Sequence, residues 1–291
     1  MRNIERRSAN RCRPKRPRRG QRTAALLLLA VSIAGCGRAT ESDRSTVTSS
    51  LGTTTSPTSG PALLRERCPS GPASGKAILF STSDGARLYG AILGGGAVGI
   101  VIANDEPHEL CEELPEATFL ARHGYRVLVF DYRGRGDSEA ASADAGRLDL
   151  DVEGAVDELV RRGARRVFLF GAYAGGAISV VAATSTPERI AGVIAVSPAA
   201  GKGQYVDGPY SAPGAFEVAG RLRVPVLYIT VRTDEYVPIG EARRLYRLTG
   251  SPVKRLEVIP AGGGGWTLFT VSPYASRANR VVLEFLHRMA R

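Results

Sequence analysis

From residue 76 onward, short apolar runs alternate with stretches in which apolar residues recur every three or four positions. The first two runs, KAILFST (76–82) and RLYGAIL (87–93), flank Ser83-Asp84-Gly85-Ala86, whose Asp-Gly pair favours a tight hairpin turn. VGIVIAN (98–104), RVLVFD (126–131), RVFLFG (166–171), IAGVIAVS (190–197), VPVLYITV (224–231) and KRLEVIP (254–260) follow. Several are unbroken and rich in β-branched residues, as strands covered on both faces must be. Helical spacing occupies 148–162, 238–250 and the closing segment 276–291. This alternation predicts an α/β fold with about eight strands in a mostly parallel sheet flanked by helices. FLFGAYAGGAISV (168–180) carries one of these strands through a glycine turn into a helix of small residues.

Charge is distributed very unevenly. Residues 1–22 hold ten of the 39 basic residues and one of the 28 acids, leaving 29 bases against 27 acids beyond them. A folded part so close to neutral carries no electrostatic footprint for a polyanion, which excludes a nucleic-acid partner. The basic start precedes TAALLLLAVSIAGC (23–36), an apolar run too short for a bilayer span of roughly 20 residues. A basic region, a short apolar run and small residues describe an export signal over 1–35. Ile33-Ala34-Gly35-Cys36 resembles a bacterial lipobox, which implies cleavage before Cys36, lipidation of Cys36 and anchorage on the extracytoplasmic face of the cell membrane. The alternative is an ordinary secretory peptide with a chance cysteine. Residues 36–60, rich in Ser and Thr, bury too little apolar surface to order themselves and read as a tether. Residues 61–291 then form a single domain, expected to be monomeric.

Of the other cysteines, Cys12 leaves with the signal, while Cys68 and Cys111 remain in an oxidising compartment where a disulfide persists. Two unpaired buried thiols are the alternative.

Three segments now acquire a meaning together. GYRVLVFDYRGRGDSE (124–139), GAYAGG (171–176) and RTDEYVP (232–238) resemble, in order and spacing, the α/β-hydrolase family over residues 76–290. Cys68 and Cys111 also resemble an exported subgroup with a cysteine just before the helix after the third strand. The resemblance implies a serine nucleophile on a strand-to-helix elbow, then an acid, then a histidine, with backbone N–H groups forming an oxyanion hole. At the nucleophile slot stands Tyr173, a phenol with an ordinary pKa near 10 and a poor nucleophile without a base. Asp234 fills the acid slot, or orders the turn before Pro238. Gly264 falls where the histidine belongs, and no histidine lies in 261–268. His108, in the loop after the third strand, is the one candidate replacement base; His123 and His287 read as structural or surface residues. Asn104-Asp105-Glu106 stands in place of the expected oxyanion loop, with the Ala174 N–H as the second donor.

Glycines that build the fold are kept while the groups that do the chemistry are lost. This predicts a pseudo-hydrolase that binds a small ligand or an envelope protein in a cleft lined by Tyr173, Tyr236 and Trp266. The alternative is an active ester or amide hydrolase using Tyr173 with Asp234 or His108. Nothing in the sequence implies a cofactor or a metal. The 198–220 segment is too short for a large lid.

Overall fold

The computed structural model describes residues 61–71, 75–105, 108–139, 146–201, 214–260 and 262–291. The export signal, Cys36 and the tether expected over 1–60 lie outside them, as do Glu106 and residues 202–213 between the sixth and seventh strands. Strands β1 (Lys76–Ser81) and β2 (Arg87–Leu93) form the antiparallel hairpin, closed by Thr82 N–H bonding to the Ala86 carbonyl at 2.9 Å. Gly85 takes φ 90°, the left-handed geometry that the Asp-Gly pair foretold. β3 (Val98–Ala103), β4 (Arg126–Phe130), β5 (Arg166–Ala172), β6 (Ile190–Val196), β7 (Val226–Val231) and β8 (Lys254–Ile259) run parallel to one another. The eight strands stand in the order β1-β2-β4-β3-β5-β6-β7-β8, with β2 antiparallel to β4. Each expected strand is present, its ends shifted by at most two residues where the chain leaves the ladder for a loop.

Helices cover both faces. On one side α3 (Leu148–Arg161), α4 (Tyr173–Ser185), α5 (Ala215–Val218) and Leu245 of α6 (Ile239–Leu248) pack on the sheet. Opposite them lie α1 (Pro61–Arg67), α2 (Leu110–Arg122), α7 (Thr267–Thr270) and α8 (Ala275–Met289). Residues 174–183 of α4 are all buried, so this helix needs small residues rather than an amphipathic stripe. A Cβ on Gly175 would collide with the Ala103 and Asn104 carbonyls, and one on Gly171 would lie 2.7 Å from Gly176 N. These glycines therefore seat the start of α4 against the ends of β3 and β5. Because β4 and β5 flank β3 on opposite sides, the loops after β3 and β5 diverge and leave a crevice at the carboxyl strand ends. Among the described residues no helix is long and apolar enough to cross a membrane.

Two clamps hold the loop after β4. Cys68 and Cys111 form a disulfide with Cα atoms 5.5 Å apart, joining α1 to α2. Cys111 sits in the first turn of α2 rather than just before it, as the resemblance implied. Beside it Arg67 pairs with buried Asp131, and Asp131 Oδ1 accepts the Leu110 N–H at 2.8 Å. In the DYRGRGDS turn, Arg133 is fully buried; its Nε donates to Asp151 Oδ1 at 2.7 Å and its Nη1 to Asp84 Oδ2 at 2.7 Å. The motif's arginine is thus a structural staple between the hairpin turn and α3, with both partners of opposite charge.

Candidate functional site

The crevice is entered at Tyr173, the first residue of α4. Its φ of 45° is left-handed backbone, shared among described non-glycine residues only with Ser197. Such a conformation costs on the order of 1–3 kcal/mol and persists only where the surroundings enforce it. Here they do: Gly171 and Gly175 bring the turn close, and Ala199 N–H donates to the Tyr173 carbonyl at 3.0 Å. The sharp strand-to-helix elbow is present, with Tyr173 at its turn.

Where the phenol goes decides the rest. The Tyr173 hydroxyl reaches Asp234 Oδ1 at 3.5 Å, while the ring meets Tyr236 edge to face at 5.8 Å between centroids. A Cβ added to Gly264 would fall inside contact distance of both Asp234 Oδ2 and the Tyr173 hydroxyl. One added to Gly265 would strike the Tyr173 ring. Gly264 therefore faces the acid, as the register of the resemblance placed it, and the phenol fills the space in front of it. Burial raises the Tyr173 pKa well above its ordinary value, and the negative charges of Asp234 and Asp105 raise it further. The phenol is held as a neutral hydroxyl, and among the described residues no Lys or Arg lines the cavity with it to favour the phenolate.

Asp234 is divided between two tasks. Oδ1 accepts the N–H groups of Tyr236 and Val237, each at 3.0 Å, which orders the turn ahead of α6. It does not cap α6, whose N-cap is Pro238. Oδ2 is buried with no hydrogen-bond partner and lies against Gly264. A buried carboxylate oxygen left unpaired is costly, and it points where a histidine N–H would be needed.

The crevice opens into a cavity of about 630 Å³, walled by Asp105, His108, Tyr173, Tyr236 and Trp266 together with Gly262 to Gly264. Thr233, Glu235 and Thr267 complete its wall and were not anticipated from the sequence. Strand ends beside an anchored acid were the available signal for Thr233 and Glu235. Trp266 leans on Phe170 at 5.0 Å, while Tyr236 is 64% exposed at the mouth. At two expected oxyanion positions, where the expectation concerns backbone N–H groups, the side chains lie in the interior and do not line the cavity. Asn104 is fully buried, its Nδ2 donating to the Phe130 carbonyl at 2.7 Å, so its side chain ties β3 to β4 instead of facing the cavity. The Ala174 side chain is buried in the core beneath α4. Asp105 does line the cavity. His108 lines it too, but its Nδ1 is 2.9 Å from Glu112 Oε2 and half of its side chain is exposed. His123 closes α2 with Nδ1 on the Phe119 carbonyl, a structural role as expected. Among the described residues no cluster of His, Cys, Asp or Glu has the arrangement of a metal site.

Comparison with known proteins agrees with this architecture. The family model Hydrolase_4, described as "Serine aminopeptidase, S33", matches residues 111–218. A protein of Escherichia coli O157:H7, "Uncharacterized protein YfhR", is 30% identical over 213 residues, covering 66% of this chain and 74% of that one. The chain belongs to the α/β-hydrolase family. A second relative, Rv2307c of Mycobacterium tuberculosis, is 27% identical over 207 residues, or 65% of this chain and 72% of its own length. Among solved structures, the Pyrococcus furiosus esterase Pf2001 superposes with a TM-score of 0.61 at 21% identity, over 74% of this chain and 92% of the esterase. A monoacylglycerol lipase of Paleococcus ferrophilus gives 0.57 at 20% identity, over 69% and 99%. Within this α/β-hydrolase, Tyr173, Asp234 and Gly264, the residues that the resemblance sets at the family's nucleophile, acid and histidine positions, lie adjacent in space.

Proposed function

We propose that this α/β-hydrolase is a ligand- or partner-binding protein that does not hydrolyse esters or amides, held to the extracytoplasmic face of the membrane by lipid on Cys36. One observation carries the first part: the Tyr173 phenol stands beside Asp234 and against Gly265, and its hydroxyl crowds the place a side chain on Gly264 would occupy, where the family's imidazole base would begin. With neither serine nor histidine, the family mechanism loses both proton relay and attacking oxygen. In a serine hydrolase each of those losses alone costs about a million-fold in turnover. Tyr173 itself is a poor substitute, because a nucleophilic phenol must ionise and its surroundings favour the protonated form. His108 is engaged by Glu112 rather than by the phenol.

The cavity remains, and its aromatic walls support a binding role. Purified wild-type protein assayed with p-nitrophenyl acetate is expected to show no turnover above buffer. Enzymic turnover that disappears in Tyr173→Phe would establish an active tyrosine enzyme and overturn the reading. The anchor is tested separately by metabolic labelling with a palmitate analogue, which should mark the wild type and not Cys36→Ser.

A further inference from the structure

We propose that the cavity binds an organic cation, a quaternary or alkylated ammonium group, seated on the aromatic rings of Tyr173, Tyr236 and Trp266. The proposal deepens the binding reading and rests on it. Residues 23–291 hold 29 Lys and Arg residues, and among the described residues none of them contributes to the cavity wall. The wall instead carries carboxylates at Asp105 and Glu235, and behind Gly264 lies the partnerless Oδ2 of Asp234. Among the described residues the one ionisable base on the wall, His108, is matched by Glu112.

Three rings and a negative field favour the same guest. The faces of tyrosine and tryptophan attract a cation within about 6 Å of the ring centre. A methylated ammonium is weakly hydrated and so is easily transferred to an apolar wall, whereas a carboxylate or phosphate ligand would meet the like charge of Glu235 and, behind Gly264, of Asp234. Tyr173 and Tyr236 already stand at an edge-to-face angle of 74°, so their planes form two sides of a box rather than a stacked pair. Trp266, the third aromatic, is fixed by its contacts with Phe170 and Phe269.

Trp266 is the chain's one tryptophan, so its fluorescence reports this cavity alone. The full chain in detergent is titrated with choline, with its neutral carbon isostere 3,3-dimethyl-1-butanol, and with butyrate. Choline should quench or shift the emission saturably, about tenfold more tightly than the isostere, with no response to butyrate. Tyr236→Leu, at a mostly exposed position, should weaken choline about fivefold in a protein that still unfolds in one cooperative transition, its midpoint lowered only slightly by loss of the Tyr173 ring contact. Replacing choline by phosphatidylcholine vesicles distinguishes a lipid headgroup from a free solute; a response to either supports the proposal. Equal affinity for the isostere, or preference for butyrate, overturns it. Hydrolysis of p-nitrophenyl acetate by the wild type would remove the non-catalytic reading while leaving this charge preference to be decided by the titration.

Discussion

If Tyr173 occupies the space of a lost imidazole, positions 173 and 264 must be energetically coupled. The perturbation is a double-mutant cycle of Tyr173→Ser and Gly264→His. Gly264 lacks the positive φ of Gly265 and Gly262, so its backbone accepts a side chain and the cost of histidine is steric. Its Cβ would lie 2.6 Å from Asp234 Cγ and closer still to the Tyr173 hydroxyl, so the phenol and the acid must both give way. Overpacking of this kind costs about 1–3 kcal/mol. Tyr173→Ser removes the ring contact with Tyr236, worth about 1 kcal/mol, and leaves the left-handed backbone with a residue that tolerates it no better. Together, serine vacates the space that histidine fills, and the histidine can donate to the partnerless Asp234 Oδ2. The double variant should therefore be more stable than the sum of the single changes by about 1–2 kcal/mol, within the range seen for contacting residues. Urea unfolding of the four proteins, followed by circular dichroism, measures the coupling directly. Additivity within about 0.5 kcal/mol would refute the shared-space argument.

Further expectations concern the scaffold. Glu116 is buried in α2 and burial raises its pKa from 4.5 to about 8, with Glu113 shifted the same way. The folded state thus holds the proton more tightly, so this contribution to stability is complete below about pH 4.5 and is lost as pH rises through about 8. Glu116→Gln should flatten that decline and stabilise the protein by ~3 kcal/mol at pH 9 relative to wild type, read from urea midpoints across pH. Asp84 is lowered to about 2 by its bonds from Arg133, so its contribution is instead lost on acidification below about pH 4. Reduction of the Cys68–Cys111 bridge, which spans 43 residues, should cost about 4 kcal/mol, visible as a lower urea midpoint in dithiothreitol. Arg133→Met leaves Asp151 fully buried without its counter-ion and should cost about 3–5 kcal/mol by the same measurement. A loss under 1 kcal/mol would show that the staple is dispensable.

Much of the architecture was legible in the sequence because strand and helix periodicities are local. The runs at 98–104 and 166–171 are apolar throughout since both faces of a central strand are covered, and that pattern needs no knowledge of neighbours. Gly171, Gly175 and the Asp-Gly turn at 84–85 mark backbone geometries that other residues resist, so they too speak from the chain alone. Non-local placement could not be read in this way. Glu113 and Glu116 fall within the apolar face formed by Leu110, Leu114, Ala117 and Leu120, but only packing of α2 on the sheet reveals that they are buried. Asn104 looked like a loop residue at the cavity and is instead drawn inward by a carbonyl of the neighbouring strand.

The sequence by itself determined that Tyr173 and Gly264 stand where the resemblance sets a serine and a histidine, since identity at a position is a one-dimensional fact. Only the tertiary structure decided that these two positions compete for one place in space. Tyr173 and Gly264 are ninety-one residues apart and become contacts because β5 and β8 end at the same edge of the sheet, where one side chain's volume is the other's vacancy.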